Sequence, residues 1–188
     1  LGMHKKGSFY DVLTTDQCQI VEEDFNRIVN GTLKIAKEFG LTYYHKITHS
    51  GYLRHLLVRR AIKTGEILVH LVTTSAWEIM NKKEDEFFSV WKNTLLSTCL
   101  DGRIKGIVHT INDRVADVIC ADSTKVLFGE DFFFEELLDL KFKISSFSFF
   151  QTNSLGAEVL YRKVREYIGG TKDKVIFDLY SGTGTIAQ

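Results

Sequence analysis

The sequence predicts an α+β domain with a mostly antiparallel sheet, followed by the opening strand and turn of a doubly wound α/β domain. Two observations predict the first part. Helical and strand-like stretches alternate as helix, hairpin, helix, hairpin, and the strand candidates come as neighbouring pairs separated by turn residues. A third predicts the second part: the apolar run Val175-Ile176-Phe177 ends in Asp178 and then in a turn with alternating glycines, Gly182 and Gly184. That is the pattern of the first βα turn of a nucleotide-binding domain.

At 188 residues the chain is long enough for one full domain and part of another. Hydrophobic content of 44% and charged content of 26% fit a packed globular protein and not a disordered one. The net charge is zero, so contact with nucleic acid must come from a local patch. No apolar run is long enough to span a bilayer and no secretory signal pattern opens the chain. The expectation is therefore a cytoplasmic protein with no membrane partner. Cys18, Cys99 and Cys120 are odd in number and widely spaced, as reduced thiols are. Leu1 is not an initiator methionine and Gln188 falls in mid-motif, so both ends read as cuts within a longer protein.

Along the chain, a strand is expected over 8–13, with Thr14, Thr15 and Asp16 as cap candidates for a helix over 19–39 whose apolar residues recur at helical spacing. Gly40 is its expected C′ residue. Strands over 52–60 and 66–74 flank Lys63-Thr64-Gly65, a hairpin turn. A helix over 84–100 is expected to bury Phe87, Phe88, Val90, Trp91, Leu95 and Leu96, and strands over 106–111 and 115–121 flank Asn112-Asp113. Residues 125–150 are β-rich, and Leu140-Lys141-Phe142-Lys143-Ile144 alternates as a strand with one buried face does. Phe147 and Phe150 are read as core. Asn153 or Ser154 caps a helix over 157–168, which Gly169-Gly170 stops.

In the final turn, glycines let the backbone fold sharply and approach a ligand, and the N-terminus of the next helix suits a polar one. The third glycine of the dinucleotide fingerprint is missing, since Ala187 falls one place late. This weighs against a nicotinamide site. Taken alone, the glycine pattern also fits a plain turn, Asp178 a local cap, and Gln151 a surface residue or capping partner.

Two linked motifs carry a resemblance. Ser148-Phe149-Phe150-Gln151-Thr152-Asn153, then a helix, then Asp178-Leu179-Tyr180-Ser181-Gly182-Thr183-Gly184-Thr185 resembles the RNA 5-methyluridine methyltransferases, the 23S rRNA and tRNA (uracil-5-)-methyltransferases. The likeness extends weakly upstream, through Gly51-Tyr52-Leu53-Arg54-His55 to the start of the chain. It implies a central α+β domain over 1–147 that contacts RNA. It further implies that 148–188 are the truncated start of a Rossmann-like S-adenosyl-L-methionine-dependent methyltransferase domain. Gln151, Asp178, Tyr180, Gly182, Gly184 and Thr185 then bind the cofactor, and Phe149 lies near the extruded target base. Stacking of such a base is worth about 1–3 kcal/mol.

The family's chemistry adds a cysteine thiolate to C6 of uracil, and C5 then attacks the methyl group before a base removes its proton. The nucleophile and base are expected beyond residue 188, so the chain is expected to hold no catalytic residue and to be inactive alone. The implied substrate is RNA, with 23S rRNA ahead of tRNA. Ser181 stands where the family often has cysteine. Ser146 stands where it often has proline, which leaves the loop before Gln151 less rigid. Cys18 resembles the last ligand of a 4Fe-4S cluster in some members, which applies only to a full-length parent and not to this chain. His45 and His49 are not expected to bind metal.

Arg54, His55, Arg59, Arg60 and Lys63, with Lys5 and Lys6, make the densest basic cluster. Arg54 and Arg60 share strand parity, and Arg59 points to the other face. These residues fit RNA phosphate contacts and fit equally the charges that protect a strand edge. Two other classes stand beside the methyltransferase: an RNA-binding α+β module, and a nicotinamide- or flavin-dependent oxidoreductase truncated at the same turn.

Overall fold

The computed structural model describes residues 2–8, 11–76, 83–115, 123–179, 181, 184 and 185. In chain order these form strands β1 (Gly2–His4) and β2 (Val12–Thr14), helix α1 (Glu23–Glu38), strands β3 (Leu53–Arg60) and β4 (Glu66–Thr73), and helix α2 (Glu84–Ser97). Strands β5 (Arg103–Ile111), β6 (Ser123–Gly129), β7 (Phe132–Leu137) and β8 (Leu140–Ser145) come next, then helix α3 (Ser154–Ile168). The main sheet has the order β3-β4-β5-β6, while β1-β2 and β7-β8 form separate two-stranded ribbons. After α1 comes the antiparallel pair β3-β4, and after α2 the antiparallel pair β5-β6. The main sheet itself is mixed, because β4 and β5 pair in parallel between two antiparallel pairs. A parallel pair needs a long crossover, which α2 supplies.

Every residue of β4 is buried, so its Ile-Leu-Val-rich run serves two cores at once. On one face Ile67, Val69 and Leu71 meet Ile28 of α1 and Phe87, Trp91 and Leu95 of α2. On the other, Leu68 and Val108 meet Phe133 and Ile144 of the β7-β8 hairpin and Ala157 and Tyr161 of α3. The result is a three-layer arrangement, and Trp91 Nε1 ties the helical layer together by donating to Thr32 Oγ1 at 3.0 Å. In the hairpin, Leu138 and Asp139 take φ of 49° and 68°, the left-handed pair that a tight two-residue turn requires. Its outward Phe132 and Phe134 lie under Lys143 and Lys141, with Nζ 3.8 and 4.4 Å from the ring centroids.

Several boundaries differ from expectation. Helix α1 begins at Glu23, not residue 19, because Asn26 takes both the amide and the carbonyl of Cys18 at 3.1 Å and holds the preceding chain as a turn. Ile20 is accordingly 92% exposed. The helix ends as expected at Gly40, whose φ is +64°. Helix α2 stops at Ser97, where Thr98 Oγ1 donates to the carbonyl of Thr94, and it buries Phe87, Phe88, Trp91 and Leu95 but not Val90 and Leu96, which lie on its exposed side. Most of the strand expected over 115–121 lies outside the described residues, and β5 is flanked instead by β6. The strand expected from Val175 is not formed: Val175, Phe177 and Leu179 are 81%, 80% and 77% exposed and pair with no described strand. An extended segment without a neighbour has nothing to take its backbone donors and acceptors.

Candidate cofactor and RNA-contact site

The loop before α3 is the best-defined part of the site. Asn153 Oδ1 accepts from the amide of Gly156 at 2.8 Å and caps the helix. Upstream, Arg59 reaches from β3 and donates through Nη1 to the carbonyls of Ser145 (2.8 Å), Ser146 (3.2 Å) and Ser148 (2.7 Å). Burial lowers the pKa of this guanidinium. The hydroxyls of Ser145 and Ser148 are 2.8 Å apart. Phe150 is 8% exposed and belongs to the core, as expected. Phe147 does not: it is 43% exposed and stands edge-on to His70 at 5.1 Å between centroids. The loop turns it out of the core between the clamped carbonyls. Phe149 is 72% exposed, and Gln151 is also exposed.

The glycine turn is described in part. Gly184 has φ of +73°, and its amide donates to the carbonyl of Ser181 at 2.8 Å. Thr185 Oγ1 lies 3.1 Å from the hydroxyl of Tyr161, which fastens the turn to α3. Asp178 is half-buried, and its Oδ2 is enclosed with no hydrogen-bond partner among the described residues. An enclosed acceptor of this kind, upstream in sequence of the left-handed Gly184, fits a ligand that brings polar hydrogens, as a nucleoside cofactor does. Tyr180 and Gly182, expected beside them, lie outside the described residues.

The loop and α3 dock on the sheet through buried acids. Glu135, 1% exposed, accepts from the amides of Ile62, Lys63 and Glu136 and from Ser154 Oγ. Glu158 pairs with Lys63 and Arg162 and accepts from the amide of Leu138. The Lys63 bond and that amide hold the Glu158 carboxyl below its usual range, and Lys63 is raised in turn.

The basic cluster is dispersed into structural contacts. Arg60 faces α1, with Nε 3.3 Å from Asp24 Oδ2 and Nη1 3.6 Å from Glu22. The sequence leaves two readings open for Arg60, and its charge is placed against acids of α1 and the turn before it. Arg54 Nη1 donates to the carbonyls of Asn112 (2.8 Å) and Arg114 (2.6 Å), and its guanidinium sits 4.2 Å over the Tyr44 ring. A register shift between Leu53 and His55 places Arg54 at a β-bulge, so the simple parity with Arg60 does not hold. A cleft of about 300 Å³ opens beside it, lined by Tyr44, His49, Gly51, Thr74 and Asp113 among others. Cys18 is half-buried and Cys99 exposed, while Cys120 lies outside the described residues. No group of three His, Cys, Asp or Glu able to hold a metal occurs among the described residues.

Sequence reasoning missed two buried histidines. His70 Nε2 lies 2.7 Å from Thr110 Oγ1 on the hairpin side of the sheet, and His109 Nε2 lies 2.8 Å from Thr73 Oγ1 on the helical side. Burial pushes both down to about 4, helped at His109 by the charges of His70 and Lys125. A lone histidine in an apolar run is the available signal for each.

The chain thus runs from a mixed-sheet domain through a clamped aromatic loop into a capped helix and a glycine turn. No family model matches the chain. It is 49% identical over 186 residues to an uncharacterized RNA methyltransferase of Caldanaerobacter subterraneus subsp. tengcongensis, covering 99% of this chain and 40% of that protein. It is 48% identical over 188 residues to an uncharacterized RNA methyltransferase of Clostridium tetani, covering 100% of this chain and again 40% of the relative. Among solved structures, the tRNA (uracil-54, C5)-methyltransferase of Pyrococcus abyssi in complex with S-adenosyl-L-homocysteine matches with a TM-score of 0.75 and 26% identity. That match covers 99% of this chain and 42% of that one. The resemblance drawn from the motifs thus holds along the whole chain, which spans about 40% of the length of the curated relatives it matches. No helix among the described residues is long and apolar enough to cross a membrane.

Proposed function

We propose that this chain is part of an S-adenosyl-L-methionine-dependent enzyme that methylates C5 of a uridine in RNA. The observation that carries the reading is the double attachment to α3: an exposed Gln151 precedes its cap, and the Gly184-Thr185 turn is bonded to its Tyr161. The solved neighbour, bound to S-adenosyl-L-homocysteine, supports it.

When bound, the cofactor supplies an electrophilic methyl group. The Gln151 amide, able both to donate and to accept, would hold its polar groups. Asp178 Oδ2 would accept from them, and Gly184 and Thr185, with Tyr180 and Gly182, would complete the cradle. Phe149 would offer its ring face to an extruded uracil. The nucleophile and base are assigned to the further length that the relatives have, so residues 1–188 alone transfer no methyl group. The test is calorimetric titration with S-adenosyl-L-homocysteine of a protein that continues this chain over its relatives' length. Gln151→Ala is expected to weaken binding about ten-fold, the loss of a hydrogen bond to a charged group. Labelled-methyl transfer to rRNA and to tRNA then identifies the substrate class, for which rRNA is our first choice.

A further inference from the structure

We infer that Arg59 is a positioning residue: anchored in β3, its guanidinium sets the path of the loop that presents Phe149 and Gln151. What Gln151 holds rests on the methyltransferase reading; the ordering of the loop does not.

Three carbonyls within four consecutive residues converge on one side-chain nitrogen, at 2.8, 3.2 and 2.7 Å. Among the described residues no carboxylate pairs with Arg59, so its charge is met by these peptide dipoles and by the Phe133 ring 5.7 Å away. A half-buried cation is costly unless its donors are used, which ties the arginine to this loop conformation and the loop to the arginine. The segment needs such a fastening. Residues 145–148 are three serines and a phenylalanine, there is no proline, and its own bonds are the Ser148 amide to the Ser145 carbonyl and the contact between the same two hydroxyls.

The clamp also fixes the residues downstream of it. Ser148 is bound through its carbonyl and Phe150 is buried in the core, which leaves Phe149 between two anchored neighbours with its ring outward. Gln151 comes next, directly after the buried Phe150. Phe147, edge-on to His70 of β4, fastens the same loop to a second strand. Lysine can meet this arrangement only in part, because its single ammonium sits on a more flexible stem and is not held by the Phe133 ring as the flat guanidinium is.

The test has two arms. In the first, hydrogen exchange is followed in this chain as wild type, Arg59→Met and Arg59→Lys. Expected is about ten-fold faster exchange over residues 145–152 in Arg59→Met, with β4 unchanged and Arg59→Lys between the two. In the second, the same substitutions are made in a protein continuing over its relatives' length. The Kd for S-adenosyl-L-homocysteine and the KM for the methyl donor are expected to rise about ten-fold, and the KM for RNA to rise with them because Phe149 is carried on the same loop. Should Arg59→Met fail to fold, Arg59→Lys carries both arms. Unchanged exchange overturns the inference, and so does a loosened loop with unaltered affinity. A wild-type protein with no affinity for S-adenosyl-L-homocysteine overturns the methyltransferase reading instead, and the exchange arm still decides whether Arg59 orders the loop.

Discussion

Arg60 and Asp24 are joined across the sheet-helix interface, Nε to Oδ2 at 3.3 Å, with the carboxylate 1% exposed. Asp24 also accepts from the amides of Asp101 (2.7 Å) and Gly102 (2.8 Å), so one acid holds β3, α1 and the entry to β5. Breaking a buried ion pair from one side leaves an uncompensated charge and costs about 3–5 kcal/mol. Asp24→Ala is expected to lose stability of that size in urea unfolding. Arg60→Ala is expected to lower stability while leaving RNA affinity within about two-fold, since a phosphate contact would show in the salt slope.

Glu135 answers four donors from the β3-β4 turn, its own strand and α3. Each donor orphaned on burial costs about 1–3 kcal/mol. Glu135→Ala is expected to destabilise by at least about 3 kcal/mol, and Glu135→Gln by less. Unfolding monitored at α3 and at Trp91 separately would show α3 leaving first.

His70 and His109 carry a pH dependence. Both have folded-state pKa values near 4 against an ordinary 6.5, so the unfolded chain binds protons more readily. Their contribution is intact above about pH 6.5 and is lost as the pH falls towards 4, each by roughly 3 kcal/mol at most. Denaturant midpoints should fall steeply as the pH is lowered from about 7.5 to about 4.5. His70→Leu should flatten the slope, and a flat wild-type profile would contradict the assignment.

The outer side of α3 shows Leu155, Val159 and Leu160 at 57%, 66% and 54% exposure, and Val175 and Phe177 are exposed as well. Apolar surface of this kind promotes association. Leu155→Lys with Val159→Glu is expected to reduce concentration-dependent light scattering while changing stability by no more than about 0.5 kcal/mol per site.

Val175 to Leu179 pair with no strand among the described residues, so no described sheet holds the segment that leads into the glycine turn. Weak S-adenosyl-L-methionine binding by residues 1–188 is therefore expected, with a Kd above about 100 μM, or about −5.5 kcal/mol. Micromolar affinity in a calorimetric titration of this chain would contradict it.

Where sequence and structure agree, the signal is local. The Lys63-Thr64-Gly65 turn, the Asn153 cap, the Gly40 stop and the alternation in β8 are each settled by neighbours a few residues away. What escapes is non-local. Nothing near Arg59 in sequence announces three carbonyls 86–89 residues downstream, and nothing near Arg60 announces a carboxylate on α1. A basic cluster read along one strand looks like a single patch because the bulge at Arg54 and the partners on three other elements are invisible there. Parallel pairing of β4 with β5 escapes for the same reason, since a helix between two hairpins does not state how the hairpins meet.

That seam has a kinetic consequence. Glu66 and Arg103, which open it, are 37 residues apart, whereas the β3-β4 and β7-β8 ribbons close over short turns. Loop closure of that length delays the reward for making the contact. These ribbons should therefore zip early and the docking of β4 on β5 should set the refolding rate, so truncations in Val69 and Ile107 should slow refolding more than truncations in the β7-β8 turn.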